Sequence, residues 1–259
     1  MEAAILTDLT KCIGCGACTL ACQEINEQPT QHKPTKLSET AWTAIRQEKG
    51  INIRQQCMHC HEPTCVSVCP VGALQKTPEG PVIYEEHRCI GCRYCMFACP
   101  FGIPTYEWNN PLPKVQKCIM CYDKRVKEGK EPACTSVCPT GATKFGDRDT
   151  LLREARGRIA DNPSRYVDHI YGETEVGGTS VLYLSPIPFE ELGFAAVQQG
   201  IDYPQLTWNV LKNIPSIVTV GGVLLVGVHW MIKRRMSMER LNNEIGSRKI
   251  TSLDEKGGE

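Results

Sequence analysis

The stretch that decides the fold is Cys89-Ile-Gly-Cys92-Arg-Tyr-Cys95-Met-Phe-Ala-Cys99-Pro100. Its cysteines follow the spacing C-x2-C-x2-C-x3-C-P. This spacing is typical of the bacterial ferredoxin run, in which the first three cysteines bind one [4Fe–4S] cluster and the fourth binds a neighbouring cluster. The stretch therefore predicts iron–sulfur ligation by cysteine.

Three related motifs account for the other cysteines. The first motif has the same spacing but carries Gln23 where proline is usual, and the second and fourth lengthen the middle gap. Their cysteines are Cys12, Cys15, Cys18 and Cys22 in the first motif, Cys57, Cys60, Cys65 and Cys69 in the second, and Cys118, Cys121, Cys134 and Cys138 in the fourth. Four motifs of four use all sixteen cysteines of the 259-residue chain, so no thiol is left over.

Disulfides and zinc are the alternatives to iron–sulfur ligation. Disulfide frameworks form in oxidising compartments and distribute their cysteines between loops, whereas these cysteines bunch into four short motifs. C-x2-C pairs alone are common in zinc sites. A tetrahedral zinc site rarely needs a third cysteine two residues on and a fourth three further, however, and this chain repeats the pattern. The spacing favours four [4Fe–4S] clusters.

The pairing of the motifs is left open by the spacing. Each motif is expected to lend its last cysteine to a partner motif. Two pairings avoid a knot in the chain. In the nested pairing, the first motif pairs with the fourth, and they enclose the pair formed by the second and third motifs. In the sequential pairing, the first motif pairs with the second and the third with the fourth.

Several residues beside the cysteines have expected supporting roles. Gly14 and Gly91 let the backbone turn tightly, so that amide groups point at the sulfurs. His59 is expected in a supporting or surface position, because the cysteines already complete every site. Arg93 and Lys117 are expected either to raise cluster potentials or to lie in solvent, and the sequence does not separate these alternatives.

Composition excludes some classes of function. Lys and Arg number 29, as do Asp and Glu, so the formal net charge is zero and favours no nucleic-acid partner. No base–nucleophile pair, open metal position or nucleotide-binding glycine loop is recognisable in the sequence. We therefore expect a non-catalytic chain.

One long apolar run lies near the C-terminus. No side chain between Lys212 and Lys233 carries a formal charge, and a helix of that length crosses ~30 Å of hydrocarbon. Trp208 and Trp230 lie near its ends, as an aromatic belt would. We predict a single transmembrane anchor over residues 208–235, with a buried core helix as the alternative.

Charge predicts the orientation of this anchor. Only Lys212 precedes the run closely, whereas a series of basic residues follows it, among them Lys233, Arg234, Arg235, Arg240, Arg248 and Lys249. Positive residues remain on the cytoplasmic side, so residues 236–259 are expected to form a basic cytoplasmic tail. The cysteine motifs are then expected outside, although Met1 to Leu9 lack the pattern of a secretory signal.

Three other segments have recognisable patterns. Residues 24–56 are polar and predict a long loop between the first two motifs, with a candidate strand near residues 41–46. Residues 150–160 show helical spacing of apolar side chains, with Asp149 as the candidate N-cap. Residues 177–184 predict a turn that leads into a short strand.

Four sequence stretches carry a resemblance to a known family. They are Cys57-Met-His-Cys60, Cys89-Ile-Gly-Cys-Arg-Tyr-Cys95, Glu131-Pro-Ala-Cys-Thr-Ser-Val-Cys-Pro139 and Gly177-Gly-Thr-Ser-Val-Leu-Tyr183. They resemble the iron–sulfur β subunit of membrane-bound respiratory formate dehydrogenase and the matching subunit of membrane-bound [NiFe] hydrogenase. The likeness runs from about Ile5 to the C-terminal apolar run.

The resemblance implies an α+β fold with the nested pairing. Two ferredoxin-like domains are then expected, residues 57–100 being inserted into a domain formed by residues 1–56 and 101–148. Residues 149–207 would form a helix and strand extension that packs on partners. The implied ligands are Cys12, Cys15, Cys18 and Cys138 (set one); Cys22, Cys118, Cys121 and Cys134 (set two); Cys57, Cys60, Cys65 and Cys99 (set three); Cys69, Cys89, Cys92 and Cys95 (set four).

The resemblance also implies partners and a location. The chain would relay electrons between a catalytic subunit, either molybdopterin or tungstopterin formate dehydrogenase or [NiFe] hydrogenase, and a membrane cytochrome b or quinone-reactive subunit. It would be anchored in the inner membrane with its clusters on the periplasmic side, after export with a signal-bearing partner. The alternative is a soluble polyferredoxin-type subunit of a cytoplasmic oxidoreductase.

Overall fold

The computed structural model describes residues 2–254, which divide into two units after Gln205. The first unit contains nine strands: β1 (Ala3–Asp8), β2 (Ala44–Glu48), β3 (Ile51–Gln55), β4 (Leu74–Lys76), β5 (Val82–Tyr84), β6 (Thr105–Tyr106), β7 (Val115–Gln116), β8 (Thr143–Asp147) and β9 (Val181–Leu184). The helices are α1 (Ala17–Ile25), α2 (Thr64–Ser67), α3 (Tyr94–Ala98), α4 (Ala133–Ser136), α5 (Arg148–Asp161), α6 (Tyr203–Leu211) and α7 (Ile214–Asp254).

The central sheet of the first unit has the order β8-β1-β9. Strand β1 pairs antiparallel with β8 and parallel with β9. Every residue of β1 is buried because its two faces belong to two cores: Ala4 and Leu6 pack with α5, and Ala3 and Ile5 pack with the core that contains Cys18. The sheet thereby ties the N-terminus of the chain to segments from its second half.

Helix α5 covers one face of this sheet. Four buried side chains recur at helical spacing: Leu151, Leu152, Ala155 and Ile159. The helix confirms the predicted helical segment but begins earlier, because Asp147 at the end of β8 is the N-cap and accepts a hydrogen bond from the Thr150 amide at 3.3 Å. The expectation that Asp149 caps the helix was therefore wrong.

The polar segment between the first two motifs is more ordered than the sequence predicts. Strands β2 and β3 form an antiparallel hairpin there. Lys49 and Gly50 connect the strands with φ values of 48° and 79°, the geometry of a tight two-residue turn that matches the twist of the strands. This hairpin lies against the first motif, where the Asn52 side chain donates to the Cys12 carbonyl at 3.0 Å.

The second unit consists mainly of α7. Within the described residues, one helical stretch is long and apolar enough to span a membrane, Tyr203–Asn243, with a mean hydropathy of 1.7 in its most apolar window. None of that window is buried inside the chain, so the alternative of a core helix of this chain was wrong. Met1 and residues 255–259 of the expected tail lie outside the described residues, as do the side chains of Arg248 and Lys249.

A buried ion pair joins the sheet to α5 and generates the first prediction. Asp8 is 0 % exposed, and its carboxylate accepts from the Arg158 guanidinium at 2.8 Å and from the Tyr166 hydroxyl at 2.9 Å. We expect Asp8→Asn to lower the free energy of unfolding in urea by about 2 kcal/mol, because it removes the fully buried carboxylate charge that accepts from Arg158 and Tyr166, while Arg158 keeps Glu154 at 2.5 Å. Glu191→Gln breaks the exposed pair with Lys49 and should cost less than about 1 kcal/mol. Equal losses in the two variants would contradict this account.

Candidate metal centres

The four C-x2-C loops share one backbone conformation. The third residue of each loop has a positive φ: Gly14 at 67°, His59 at 50°, Gly91 at 69° and Met120 at 56°. This turn directs amides toward sulfur, as in the hydrogen bonds from the Gly91 and Met120 amides to Cys89 Sγ and Cys118 Sγ, both 3.4 Å. His59 and Met120 adopt the left-handed conformation at a cost that glycine does not incur, and sequence reasoning missed both.

The irregular first motif has a structural explanation. In the other three motifs a helix of four or five residues ends just before the Cys-Pro pair, because proline cannot continue a helix and restricts the residue before it. Helix α1 has Gln23 instead and runs on through Cys22 to Ile25. The Asn26 side chain then caps this helix, donating to the Cys22 carbonyl at 2.8 Å and approaching Cys22 Sγ at 3.7 Å.

Two small cavities are lined by four cysteines each. Cys12, Cys15, Cys18 and Cys138 line the first, and Cys69, Cys89, Cys92 and Cys95 line the second. Each cavity combines three cysteines of one motif with the last cysteine of another. In the first cavity, the fold brings together cysteines that lie more than a hundred residues apart in the sequence.

The remaining eight cysteines form two further groups that act on one another electrostatically. Burial, together with the neighbouring charges of Cys134 and Cys121, raises the pKa of Cys22 to about 12. The pKa of Cys60 likewise lies far above its usual value. Burial is the largest cause, and the charges of Cys57, Cys99 and Cys65 contribute to the same increase. Cys118 is assigned to the first of these groups, since Cys22 is the largest contribution to its strongly raised pKa after burial itself.

Helix contacts bring the motifs together in the same way. Helix α1 of the first motif packs against α4 of the fourth, and α2 of the second packs against α3 of the third. The antiparallel hairpin of β4 and β5 connects the second and third motifs, while β1 and β8 flank the first and fourth.

The donor set fits [4Fe–4S] clusters better than single ions. All sixteen cysteines are free thiols, and within residues 2–254 no three His, Cys, Asp or Glu side chains converge closely enough to hold one metal ion. A cubane is larger than an ion and offers each cysteine a separate corner, so its ligands stand further apart. Amide groups directed at sulfur also stabilise the thiolate form that iron binds.

Buried cationic and imidazole groups lie between the cysteines. Lys117 is buried and donates to the Val82 carbonyl at 2.6 Å and the Cys118 carbonyl at 2.9 Å. His59 Nδ1 accepts from the Val82 amide at 2.9 Å, and burial together with Lys117 holds its pKa well below the usual value, so the ring is neutral. Arg93 is exposed and stacks over Trp108. Lys117 is therefore not a surface residue, whereas Arg93 is exposed and also lines the cavity of Cys69, Cys89, Cys92 and Cys95.

The Gly-Gly-Thr stretch supports the second motif. The His61 amide donates to the Gly178 carbonyl at 3.0 Å, and the Ser180 amide donates to the His59 carbonyl at 3.1 Å. Gly178 has a φ of 104°, and a side chain there would lie 3.1 Å from His61 Nδ1. This close approach explains why glycine is needed opposite the Cys57–Cys60 loop.

The loop conformation generates the second prediction. A Cβ on Gly91 would lie 2.6 Å from the Pro113 carbonyl oxygen, whereas a Cβ on Gly72, which also has a positive φ, would meet nothing within 4 Å. We expect Gly91→Ala to lower the midpoint of thermal unfolding clearly more than Gly72→Ala, whose cost is about 1–2 kcal/mol of backbone strain alone. Similar midpoints for the two variants would show that the Gly91 loop tolerates the displacement.

Comparison with known proteins identifies iron–sulfur domains in this chain. Residues 50–148 and residues 11–73 each match a 4Fe-4S dicluster domain. The chain is 40% identical to the hydrogenase-2 operon protein HybA of Escherichia coli O157:H7, over 73% of this chain and 71% of that protein. It is 38% identical to the iron–sulfur subunit of the nitrate-inducible formate dehydrogenase of Escherichia coli K12, over 71% and 68%. It is 37% identical to the formate dehydrogenase iron–sulfur subunit of Haemophilus influenzae, over 88% and 79%.

These relatives confirm the resemblance drawn from the cysteine motifs and the Gly-Gly-Thr stretch. Identities of this size extend over most of both chains. The chain belongs to the family of 4Fe-4S dicluster proteins that includes HybA and the iron–sulfur subunits of formate dehydrogenases.

Proposed function

We propose that this chain is a non-catalytic electron-transfer subunit that holds four [4Fe–4S] clusters. It relays electrons between a catalytic subunit of formate dehydrogenase or hydrogenase type and a membrane cytochrome b or quinone-reactive subunit. The names of its relatives support this complex, and the two cavities that each gather four cysteines from two motifs carry the proposal. When bound, each cluster supplies one-electron transfer.

The ligands of the proposed clusters are the four sets named above. The cavity that contains the last cysteine of the fourth motif beside the first motif supports set one, and the cavity shared by the second and third motifs supports set four. The mutual charge effects of the remaining cysteines support sets two and three. Sets one and two would form one ferredoxin-like domain from residues 1–56 and 101–148, with residues 57–100 inserted and residues 149–207 as an extension.

The sets form a path in numerical order. Burial raises the pKa of Cys18 of set one, and with the charge of Cys134 of set two among the further causes it reaches about 11. Cys57 of set three acts on Cys118 of set two, and Cys95 of set four acts on Cys65 of set three. Electrostatic effects of this kind require short distances, so each set has a neighbour on the path.

The middle and the ends of this path differ in exposure. All four cysteines of set two are buried, which excludes water from the centre, whereas Cys15 of set one is exposed. Ile13 at the set-one cavity and Ile90 and Tyr94 at the set-four cavity are exposed apolar side chains. Such residues suit contact with another subunit, so sets one and four are the proposed points of electron entry and exit.

The apolar C-terminal stretch supports a membrane anchor over residues 208–235. Trp208 and Trp230 are exposed near its ends, and Lys233 and Arg234 follow directly. By the positive-inside rule we propose that the basic tail is cytoplasmic and that the cysteine sets are periplasmic. A soluble polyferredoxin-type subunit would have no use for an unburied apolar helix of this length.

Purification in mild detergent tests the proposed function. We expect about sixteen iron and sixteen sulfide per chain, as four cubanes require, together with a co-purifying catalytic subunit and a membrane subunit. Release of the chain from membranes by carbonate would instead favour the soluble alternative. Stoichiometric zinc in place of iron would contradict the proposal, and the identity of the catalytic subunit would distinguish formate dehydrogenase from hydrogenase.

Exchange of single ligands tests the nested sets. We expect Cys138→Ser and Cys15→Ser to alter the same electron paramagnetic resonance signal, because both residues line one cavity. Cys22→Ser should alter a different signal, which Cys121→Ser should also alter. Serine binds iron less readily than a thiolate does, so each variant is expected to lose or convert one cluster. If Cys22→Ser and Cys15→Ser instead altered one signal together, the nested pairing would be wrong.

A further inference from the structure

Arg54 is a buried cation for which the fold offers little compensation. It lies on β3 with an exposed fraction of 2 %, and its side chain forms part of the wall of the set-one cavity. Two hydrogen bonds that involve strand β3 fix the position of the hairpin that carries Arg54. The Asn52 side chain donates to the Cys12 carbonyl at 3.0 Å, and the Tyr183 hydroxyl donates to the Arg54 carbonyl at 2.9 Å. The guanidinium is therefore held beside the cysteines.

The guanidinium has unused hydrogen-bonding groups. Nη2 donates to the Gln56 side chain, while Nε and Nη1 find no hydrogen-bond partner in the part of the chain that the structure describes. Within that part, Arg54 also forms no ion pair with a carboxylate, in contrast to Arg158 and its partner Asp8. An unpaired buried charge is strongly unfavourable, so the site needs a negative group that the protein carboxylates do not supply.

The negative groups that surround Arg54 belong to two cysteine sets. Burial lowers the pKa of Arg54, but the surrounding groups, Cys134 and Cys18 first among them, together raise it more, so that it lies above its ordinary value. In return Arg54 lowers the pKa of thiols in both sets, among them Cys18 and Cys22, against the effect of burial and of neighbouring thiolates. Its charge thus acts on set one and set two together.

We propose that Arg54 raises the reduction potentials of the clusters held by sets one and two, acting as a fixed positive charge between them. This inference rests on the proposed function. Reduction of such a site adds one electron and one negative charge, with no bond made or broken and no proton taken up. A cation in a low-dielectric interior stabilises the added charge. Sets three and four, further along the path, lie outside its main influence.

Redox titration of the intact detergent-purified complex tests this inference. Midpoint potentials are followed by electron paramagnetic resonance in the wild type and in Arg54→Gln, and signals are assigned with the single-cysteine variants described above. We expect Arg54→Gln to lower the equilibrium constant for reduction at sets one and two at least tenfold, which is about 59 mV for one electron. The signals of sets three and four should move much less.

Two further variants separate charge from packing. Arg54→Lys keeps the positive charge and should retain potentials closer to the wild type than Arg54→Gln does. Arg46→Gln removes a cation from the paired strand β2 and should leave all four potentials nearly unchanged. Arg46 is only partly buried, donates to the Leu192 carbonyl and lies 4.0 Å from Glu48, so its charge is already compensated.

The possible outcomes each decide the inference. Unchanged potentials in an Arg54→Gln complex with full iron content, or an equal fall at all four sites, would overturn it. Arg54→Gln could fail to assemble the clusters of sets one and two. In that case, retention of both clusters in Arg54→Lys supports the inference that a positive charge is required at this position. Loss of both clusters in Arg54→Lys overturns the inference. A wild-type complex without iron–sulfur signals would instead refute the proposed function itself.

Discussion

The structure depends on one constraint, which is visible in its two cysteine cavities: the last cysteine of one motif lies beside the first three cysteines of a different motif. This requirement brings α1 against α4 and α2 against α3. It also explains the architecture around these helices. Strands β1 and β8 pair although they are far apart in the sequence, so they hold the first and fourth motifs together. The β4–β5 hairpin joins the second motif to the third. The cores of this unit are small, and cysteine side chains form part of them.

Concentrating sixteen thiols in one small unit creates an electrostatic cost that the fold offsets locally. Burial raises the pKa of many of these thiols, whereas iron binds the deprotonated form. The compensation comes from amide groups in left-handed loops and from buried cations rather than from solvent. Lys117 is satisfied by two carbonyl groups, whereas Arg54 retains unused donors and is balanced mainly by thiolates. These two cations therefore differ in what they require from the cysteines.

The Gly-Gly-Thr stretch, residues 177–179, is far from the second motif in the sequence but supports it in the fold. It crosses the Cys57–Cys60 loop through backbone hydrogen bonds and leads directly into β9, the strand beside β1. Thr179 is fully buried there, and its hydroxyl donates to the Val181 carbonyl at 2.7 Å. The segment is therefore part of the support for the second motif as well as part of the central sheet. Its occurrence alongside the cysteine motifs has a physical basis in this contact.

Much of the chemistry could be predicted from the sequence, because short-range spacing determines which residues face a common point. The C-x2-C-x2-C-x3-C-P pattern predicted iron–sulfur ligation, and the relatives confirm the family. Helical spacing predicted α5, and the absence of charge between Lys212 and Lys233 predicted the apolar helix. These features are local, so neighbouring residues contain the information.

Only the tertiary structure decided the features that depend on contacts between distant segments. The spacing of the motifs left two pairings open, and the packing of α1 on α4 and of α2 on α3 favours one of them. Nothing around Arg54 in the sequence distinguishes it from a surface arginine, since its burial depends on β3 lying against the first motif. The positive φ of His59 and Met120 is likewise imposed by their loops, against the preference of both residues. Local sequence thus determined the ligands, whereas the environment of their charges depends on segments that meet only when the chain folds.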